Sequence, residues 1–173
     1  SKEEIQSPDF KRHAILGFNY RMSETNAAIA LAQLERLDDL VDIRKKSAGF
    51  FLEAIKDSSI FKSQKVPNNY ECAYWTTALV LNTEKPIEDW FKFRKLFKKN
   101  GGDDFYGAWA LSYFEPLLQK FSINNKLTQK YTTGLCKNAE YLQPRLMQFK
   151  TNYWNLMKAE KQAEILRKTC KNF

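Results

Sequence analysis

A regular series of apolar residues marks the first third of the chain. Apolar side chains recur at alternating spacings of four and three residues, with a single interruption at Arg44; they are Ala30, Leu34, Leu37, Val41, Ala48, Phe51 and Ile55. Residues three and four apart share one face of an α-helix. The series therefore predicts a helix, or two nearly continuous helices, of about 30 residues within 23–57. Ser23 is the expected N-cap, and Gly49 is the expected bend.

Three segments in the rest of the chain predict short strands. Residues 73–81 are β-branched, aromatic and mostly uncharged, so we expect them to form the central strand. Weaker patterns predict strands within 104–109 and 142–149. Pro86 and the run Asn100-Gly-Gly102 delimit a predicted helix between the first two strands. A last apolar series predicts a C-terminal helix and consists of Leu156, Ala159, Ala163, Leu166, Cys170 and Phe173.

The order of these elements predicts an α/β fold of the α+β kind. A long N-terminal connecting helix precedes a short, mostly antiparallel sheet that helices cover on one face. The later strands are joined without crossover helices, which favours antiparallel pairing. We expect three parts: residues 1–22, a linker helix at 23–57 and a small C-terminal domain at 58–173.

Composition narrows the class of protein. The chain has 173 residues, 43% of them hydrophobic and 14% aromatic, which excludes an intrinsically disordered protein. No apolar run approaches the roughly 18 residues that span a bilayer, and we expect no intact signal peptide. Three widely spaced cysteines and a single histidine argue against a disulfide scaffold, a metal site and a Ser-His-Asp or Cys-His catalytic centre. We expect a cytoplasmic protein.

Positive charge is concentrated in the later part of the chain. Residues 1–57 carry 9 basic and 10 acidic side chains, whereas residues 58–173 carry 19 and 10, so the net charges are −1 and +9. The densest run is residues 92–99, in which basic side chains alternate with apolar ones at helical spacing. This pattern is typical of the solvated face of an amphipathic helix. Without a nucleic-acid-binding motif, we expect neither a nucleic-acid nor a membrane partner.

Two segments carry candidate binding residues. In the run Gly17-Phe-Asn-Tyr-Arg-Met-Ser-Glu24, Asn19 and Arg21 precede a helix N-terminus, where amide and guanidinium donors suit a phosphate. The structural alternative is that Asn19 caps a turn and Arg21 pairs with Glu24. Residues 106–116 are rich in aromatic side chains, which suits either a ligand-stacking wall or a packed loop.

The run from Gly17 to Leu40 resembles a segment of the DegT/DnrJ/EryC1/StrS family. That family typically reads G-x-N-x-R-M-[ST]-E, followed by small residues and Gln-Leu-Glu, as this chain does here. Its members are pyridoxal-phosphate-dependent aminotransferases of fold type I that act on nucleotide-linked keto sugars. The resemblance is strong over 15–46 and looser over the rest of the chain.

The resemblance implies a cofactor-binding role for the N-terminal run. In the family, the Asn and Arg of this motif reach across the dimer interface to the phosphate of pyridoxal 5'-phosphate (PLP). That implies Asn19 and Arg21 as phosphate donors, with Tyr20 nearby, and a homodimer with an amino-acid donor and a nucleotide-sugar substrate. Tyr106 and Trp109 are the candidates for a substrate-binding wall. Family members often carry a histidine in that loop, and its absence here leaves the sugar undetermined.

The resemblance also implies that the catalytic lysine lies outside this chain. In the family it precedes the Asn-x-Arg-Met segment, within a large domain that holds the cofactor ring. Since the chain also begins without Met, we expect it to be the C-terminal part of the enzyme, with residues 1–22 ending the large domain. We expect no catalytic residue in it and no activity of the chain alone. Two alternatives stay open: a dehydratase of the same family, in which histidine replaces the lysine, and a stand-alone binding module.

Overall fold

The structure, a computed structural model, describes residues 20–124 and 132–173. The chain divides into two compact units, Ser1–Leu37 and Asp38–Phe173. Within the first unit, helix α1 spans Glu24–Leu34, and the Ser23 hydroxyl accepts a hydrogen bond from the Asn26 backbone N–H at 3.3 Å. The predicted N-cap is thus confirmed. No residue of α1 is buried.

The remaining elements follow in one order along the chain. The helices are α2 (Leu37–Ile55), α3 (Pro86–Lys99), α4 (Pro116–Asn124), α5 (Lys137–Leu142) and α6 (Leu156–Lys171). The strands are β1 (Phe61–Ser63), β2 (Thr76–Leu81), β3 (Tyr106–Gly107) and β4 (Leu146–Lys150). Short 3₁₀ turns occupy Ser112–Phe114 and Gln143–Arg145. Among the described residues, no helix is both long and apolar enough to cross a membrane.

The predicted long helix is two helices. They are separated at Glu35 and Arg36, where the chain makes a turn. Gly49 lies inside α2, so the expectation of a bend there is wrong. The packing of α2 explains this result: Ala48 and Phe51, on either side of the glycine, are both fully buried and hold the helix against the core.

The four strands form one antiparallel sheet in the order β1-β2-β4-β3. In its centre, Leu79 of β2 pairs with Met147 of β4, and Tyr106 of β3 pairs with Gln148 at the edge. The predicted fold class and antiparallel sheet are confirmed, and each predicted strand overlaps an observed one. Strand β1 and helix α4 lie in segments for which the sequence predicted no strand or helix.

A single aromatic-rich core lies on one face of this sheet. Alternate residues of β2 and β4 point into it, among them Leu79, Met147 and Phe149. Phe51 of α2 and Phe97 of α3 each have ring centroids 5.5 Å from that of Phe149. Helix α6 adds small and branched residues to the same cluster. Three helices therefore cover one face, as predicted.

Arg44, the one break in the apolar series, holds α2 to the end of the sheet. Its Nη1 atom donates to the Trp75 carbonyl at 3.1 Å and to the Thr151 hydroxyl oxygen at 3.2 Å. Trp75 precedes β2 and Thr151 follows β4. The Arg44 guanidinium thus provides a hydrogen-bond partner for a carbonyl just before β2 and a hydroxyl just after β4, so its charge does not disrupt the apolar core.

The adjacent acidic residues Asp103 and Asp104 are each paired with a cation. The Asp104 carboxylate accepts from Arg94 Nε at 2.6 Å and Nη2 at 2.5 Å, and from Lys98 Nζ at 3.2 Å. Asp103 pairs with Lys150 of β4 at 2.6 Å. These contacts tie α3 and β4 to the segment that leads into β3.

Candidate functional site

The first candidate site is the segment just before α1. Asn19 lies outside the described residues. Tyr20 and Arg21 are described, and both are exposed; the Tyr20 side chain is 88% accessible. No ion pair joins Arg21 to Glu24, so the structural alternative for Arg21 is not observed. Tyr20 and Arg21 therefore lie at the surface of the first unit.

These residues suit an anion in their chemistry but do not enclose one. Arg21 offers five N–H donors, and the N-terminus of α1 adds the partial positive charge of the helix dipole. Glu24, in the first turn, reduces that positive field. A guanidinium with a neighbouring phenol is chemically suited to the phosphate group of a cofactor.

The second candidate site is the aromatic segment formed by β3 and the loop that follows it. Tyr106 is 64% exposed and Trp109 is 91% exposed. Neither side chain packs into the core, although the loop that carries them is well held. Exposure of two large aromatic rings on one short segment is typical of a binding surface.

Three polar side chains from 140–148 hold this loop in place. Gln148 Nε2 donates to the Gly107 carbonyl at 3.1 Å, and Gln143 Nε2 donates to the Ala108 carbonyl at 3.4 Å. Further along the loop, the Tyr113 hydroxyl donates to a Glu140 carboxylate oxygen at 2.7 Å. Trp109 therefore projects from a segment that is fixed on both sides. Sequence reasoning missed these anchors, because they act across about 30 residues.

Glu140 is the most connected of these anchors. Its two carboxylate oxygens also accept from the Gly134 backbone N–H at 2.9 and 2.8 Å, and one accepts from the Cys136 N–H at 3.3 Å. The Tyr113 hydroxyl and these N–H groups lower the pKa of Glu140. Desolvation and the adjacent carboxylate raise the pKa of Tyr113 to about 12. At neutral pH the Glu140 carboxyl is therefore ionised and the Tyr113 hydroxyl is protonated, which are the forms in which the hydroxyl donates to the carboxylate.

A shallow, mostly apolar cavity lies beside the aromatic loop. Its volume is about 250 Å³, and its lining comprises Ile87, Trp90, Phe91, Gly107, Ala108, Gln143 and Pro144. The Trp90 indole lines this cavity and donates to the Leu146 carbonyl at 2.9 Å. A Cβ on Gly107 would lie 3.2 Å from Cζ2 of the Trp90 ring, so a larger residue there requires that ring to shift by a few tenths of an ångström. Tyr106 and Trp109 flank the two loop residues that line the cavity.

Comparison with known proteins finds a protein family whose model matches nearly the whole chain. The model of the DegT/DnrJ/EryC1/StrS aminotransferase family matches residues 2–169. Among curated proteins, a GDP-perosamine synthase of Escherichia coli O157:H7 is 31% identical over 77 residues, which are 44% of this chain and 21% of that protein. A GDP-perosamine synthase of Vibrio cholerae is 26% identical over 122 residues, which are 68% of this chain and 33% of that protein.

Solved structures share the fold. Helicobacter pylori PseC, an aminotransferase involved in pseudoaminic acid biosynthesis, superposes with a TM-score of 0.71 at 18% identity, over 97% of this chain and 43% of that one. An E. coli GDP-4-keto-6-deoxy-D-mannose-3-dehydratase with bound hydrated PLP gives a TM-score of 0.61 at 19% identity, over 96% of this chain and 40% of that one. The chain thus spans about a third or less of the curated relatives' length and about two fifths of these structures.

Proposed function

The chain belongs to the DegT/DnrJ/EryC1/StrS aminotransferase family, and we propose that it works as part of a PLP-dependent enzyme that transfers an amino group to a nucleotide-linked keto sugar. The observation that carries this proposal is the match of the family over residues 2–169, which includes the run Gly17–Glu24. Both curated relatives described above are GDP-perosamine synthases, which makes a GDP-linked keto sugar the first substrate to test.

In this proposal the N-terminal segment binds the phosphate end of the cofactor. Arg21, with Asn19 and Tyr20 beside it, donates to the phosphate oxygens from across a dimer interface. The exposure of Arg21 and its position before a helix N-terminus support this role. When bound, the PLP ring supplies the electron sink for amino transfer. The guanidinium keeps the phosphate in place and leaves the chemistry to other residues.

The aromatic loop is proposed to bind the substrate. Tyr106 and Trp109 flank an apolar cavity of about 250 Å³, and Gln148 and Gln143 hold the backbone carbonyls of Gly107 and Ala108 between them. A backbone held in this way presents the two rings at a reduced entropic cost on binding. Their part in the enzyme is to orient the nucleotide sugar, and they move no proton.

The catalytic amine is proposed to come from sequence outside this chain. The chain spans only 43% of the PseC chain that it superposes on, so relatives carry a large part that has no counterpart here. On this proposal the chain alone is inactive. A dehydratase of the same family is the second candidate, because a dehydratase shares the fold over 96% of this chain. A stand-alone binding module would need no such additional part.

Product analysis with the intact protein tests these alternatives. The protein is supplied with PLP, an amino-acid donor and a GDP-linked 4-keto-6-deoxy sugar, and the sugar product is identified by mass spectrometry. An amino sugar supports the proposal, and a keto-deoxy sugar assigns dehydration instead. Unchanged sugar together with no retention of PLP would leave only the binding module.

Arg21→Ala is the matching test of the phosphate role. Loss of one charge-assisted hydrogen bond of about 1.5–3 kcal/mol should weaken PLP retention by roughly 10- to 150-fold, with the fold intact. The control is Arg36→Ala, which removes an exposed arginine just after α1 whose described hydrogen bond is to Gln33. Equal PLP affinity in the two variants would contradict the role given to Arg21.

A further inference from the structure

The cations of α3 fall into two groups. On the side of β3, Arg94 and Lys98 are paired with Asp104. On the opposite side, three exposed lysines form no ion pair with any described residue: Lys92, Lys95 and Lys99. The positive charge of this second group is therefore not compensated by the fold.

Helix α6 lies beside the uncompensated group and runs antiparallel to α3. Asn100, at the end of α3, donates to the Thr169 hydroxyl at 3.0 Å, and Lys92 Nζ lies 5.1 Å from the centroid of the Phe173 ring. Gln162 of α6 donates to the Gly101 carbonyl at 3.4 Å. Thr169 and Gln162 thus lie on the side of α6 that faces α3. Successive residues of an α-helix are rotated by about 100°, so the residues just before Thr169 and Gln162 lie on a different side of α6.

Those preceding residues are both lysines on the solvent side. Lys161 and Lys168 are seven residues apart, so they share one face of α6, and both are exposed without an ion pair to a described residue. With the α3 group they form the lysine face: Lys92, Lys95, Lys99, Lys161 and Lys168. The acidic side chain on this side of α3 is Glu88, one turn before Lys92.

Large apolar side chains are exposed next to the lysine face. Phe91 precedes Lys95 by one turn of α3 and is 60% exposed. Met157 precedes Lys161 by one turn of α6 and is 71% exposed, and Trp154, just before that helix, is 77% exposed. Since α3 and α6 are antiparallel, Phe91 and the pair Met157–Trp154 lie toward opposite ends of the face.

Contrary to the expectation from the sequence, we propose that the lysine face binds the surface of an anionic lipid bilayer. Two antiparallel helices present a broad platform, and lysines near an anionic leaflet each strengthen partitioning by about fivefold. Exposed Phe, Trp and Met beside lysines are the side chains that enter the headgroup region. Lysine is depleted in protein–protein interfaces, where arginine is enriched, which favours lipid over an acidic protein. The sequence carries no nucleic-acid-binding motif beside these lysines, which disfavours nucleic acid.

Sedimentation with lipid vesicles tests this proposal. The full chain is mixed at about physiological ionic strength with vesicles of phosphatidylcholine alone, or of phosphatidylcholine with phosphatidylserine. We expect binding to the anionic vesicles only. The triple variant Lys95→Gln, Lys99→Gln, Lys168→Gln should lower partitioning by about 100-fold. The matched control is Lys62→Gln, Lys65→Gln, Lys137→Gln, which removes the same charge from exposed lysines outside α3 and α6.

Several results would overturn the proposal. They are an absence of binding to anionic vesicles, equal binding to neutral ones, or an equal loss in the two triple variants. Binding to single-stranded RNA or to an acidic protein without vesicle binding would assign the face to that partner instead. Circular dichroism spectra of the two triple variants and the parent chain are the folding control. If the three spectra are the same, a loss of binding reports a change of the surface and not of the fold.

Discussion

Gly102 lies where the chain passes closest to the aromatic core. A Cβ on this residue would lie 2.6 Å from Cζ of Phe97 and closer still to two other carbons of that ring. Phe97 is 1% exposed and contacts Phe105 and Phe149, so its ring has no free space to move into. The glycine is therefore required by packing.

Gly102→Ala should destabilise the chain by about 1–3 kcal/mol, because the added methyl group overpacks the core. The control is Gly49→Ala in α2, where nothing lies within 4 Å of the added Cβ. Alanine has the higher helix propensity, so that variant should be more stable by up to about 1 kcal/mol. Urea unfolding gives both values. A Gly102→Ala variant as stable as the parent chain would show that Phe97 can move.

Single residues also show what the sequence could not reveal. Arg44 breaks an apolar series, and nothing in its neighbours indicates that it bonds to Trp75 and Thr151, which lie 31 and 107 residues away. Nothing in the local sequence explains the adjacent aspartates at 103 and 104, which the structure places beside Lys150 and Arg94. Such contacts depend on the tertiary arrangement, which the local spacing of residues does not encode.

Among the elements, α3 is tied to the start of β3 through Asp104. The Arg94 guanidinium, helped by Lys98, lowers the pKa of this carboxyl from 3.8 to about 2. A lowered folded-state pKa stabilises the fold above about pH 4, and that contribution is lost as the pH falls toward 2. The Asp104 side chain is 41% exposed, so solvent screening reduces the contribution to about 1 kcal/mol.

Asp104→Asn should therefore lower the free energy of unfolding by about 1 kcal/mol at pH 6 and leave it nearly unchanged at pH 2. The control is Glu53→Gln, which removes an exposed partner 3.6 Å from Lys56 on one turn of α2. That variant should have little effect at either pH. The measurement is urea unfolding across this pH range. A difference for Asp104→Asn that persists at pH 2 would mean that the carboxylate does not carry it.

Elements with a clear pattern of apolar residues or with terminal Pro and Gly signals could be predicted from the sequence, and the other elements could not. The 3.6-residue period located α2 and α6, Pro86 and the run Asn100-Gly-Gly102 located α3, and the apolar run at 73–81 located β2. Strand β1 buries only Phe61 among its three residues, so it has no alternation to detect. At the candidate sites, the sequence led to Arg21, Tyr106 and Trp109 as proposed binding residues, whereas the anchors of the loop depend on pairings that only the fold creates.

At the scale of the whole molecule, α1 is the feature that the described chain leaves unexplained. Its sequence from residue 25 to residue 34 is uncharged, and its large apolar residues are distributed around the helix. Ile29, Leu31 and Leu34 are 60, 58 and 64% exposed. A helix that is apolar on all sides is normally buried. We therefore expect α1 to be covered in the intact protein, and the proposed dimer would cover it.

Leu34→Glu should convert the dimer of the intact protein into monomers, because a carboxylate in an apolar interface is costly to bury. The control is Ile87→Glu on α3, which replaces an apolar side chain of nearly equal exposure, 65%, in the other unit of the chain. Size-exclusion chromatography with light scattering gives the oligomeric state of each variant. In the chain alone, neither exposed substitution should change the free energy of unfolding by more than about 0.5 kcal/mol. A Leu34→Glu variant that stays dimeric, or an Ile87→Glu variant that also dissociates, would show that α1 is not the subunit contact. The proposal that Arg21 reaches the cofactor phosphate across that contact would then be wrong as well.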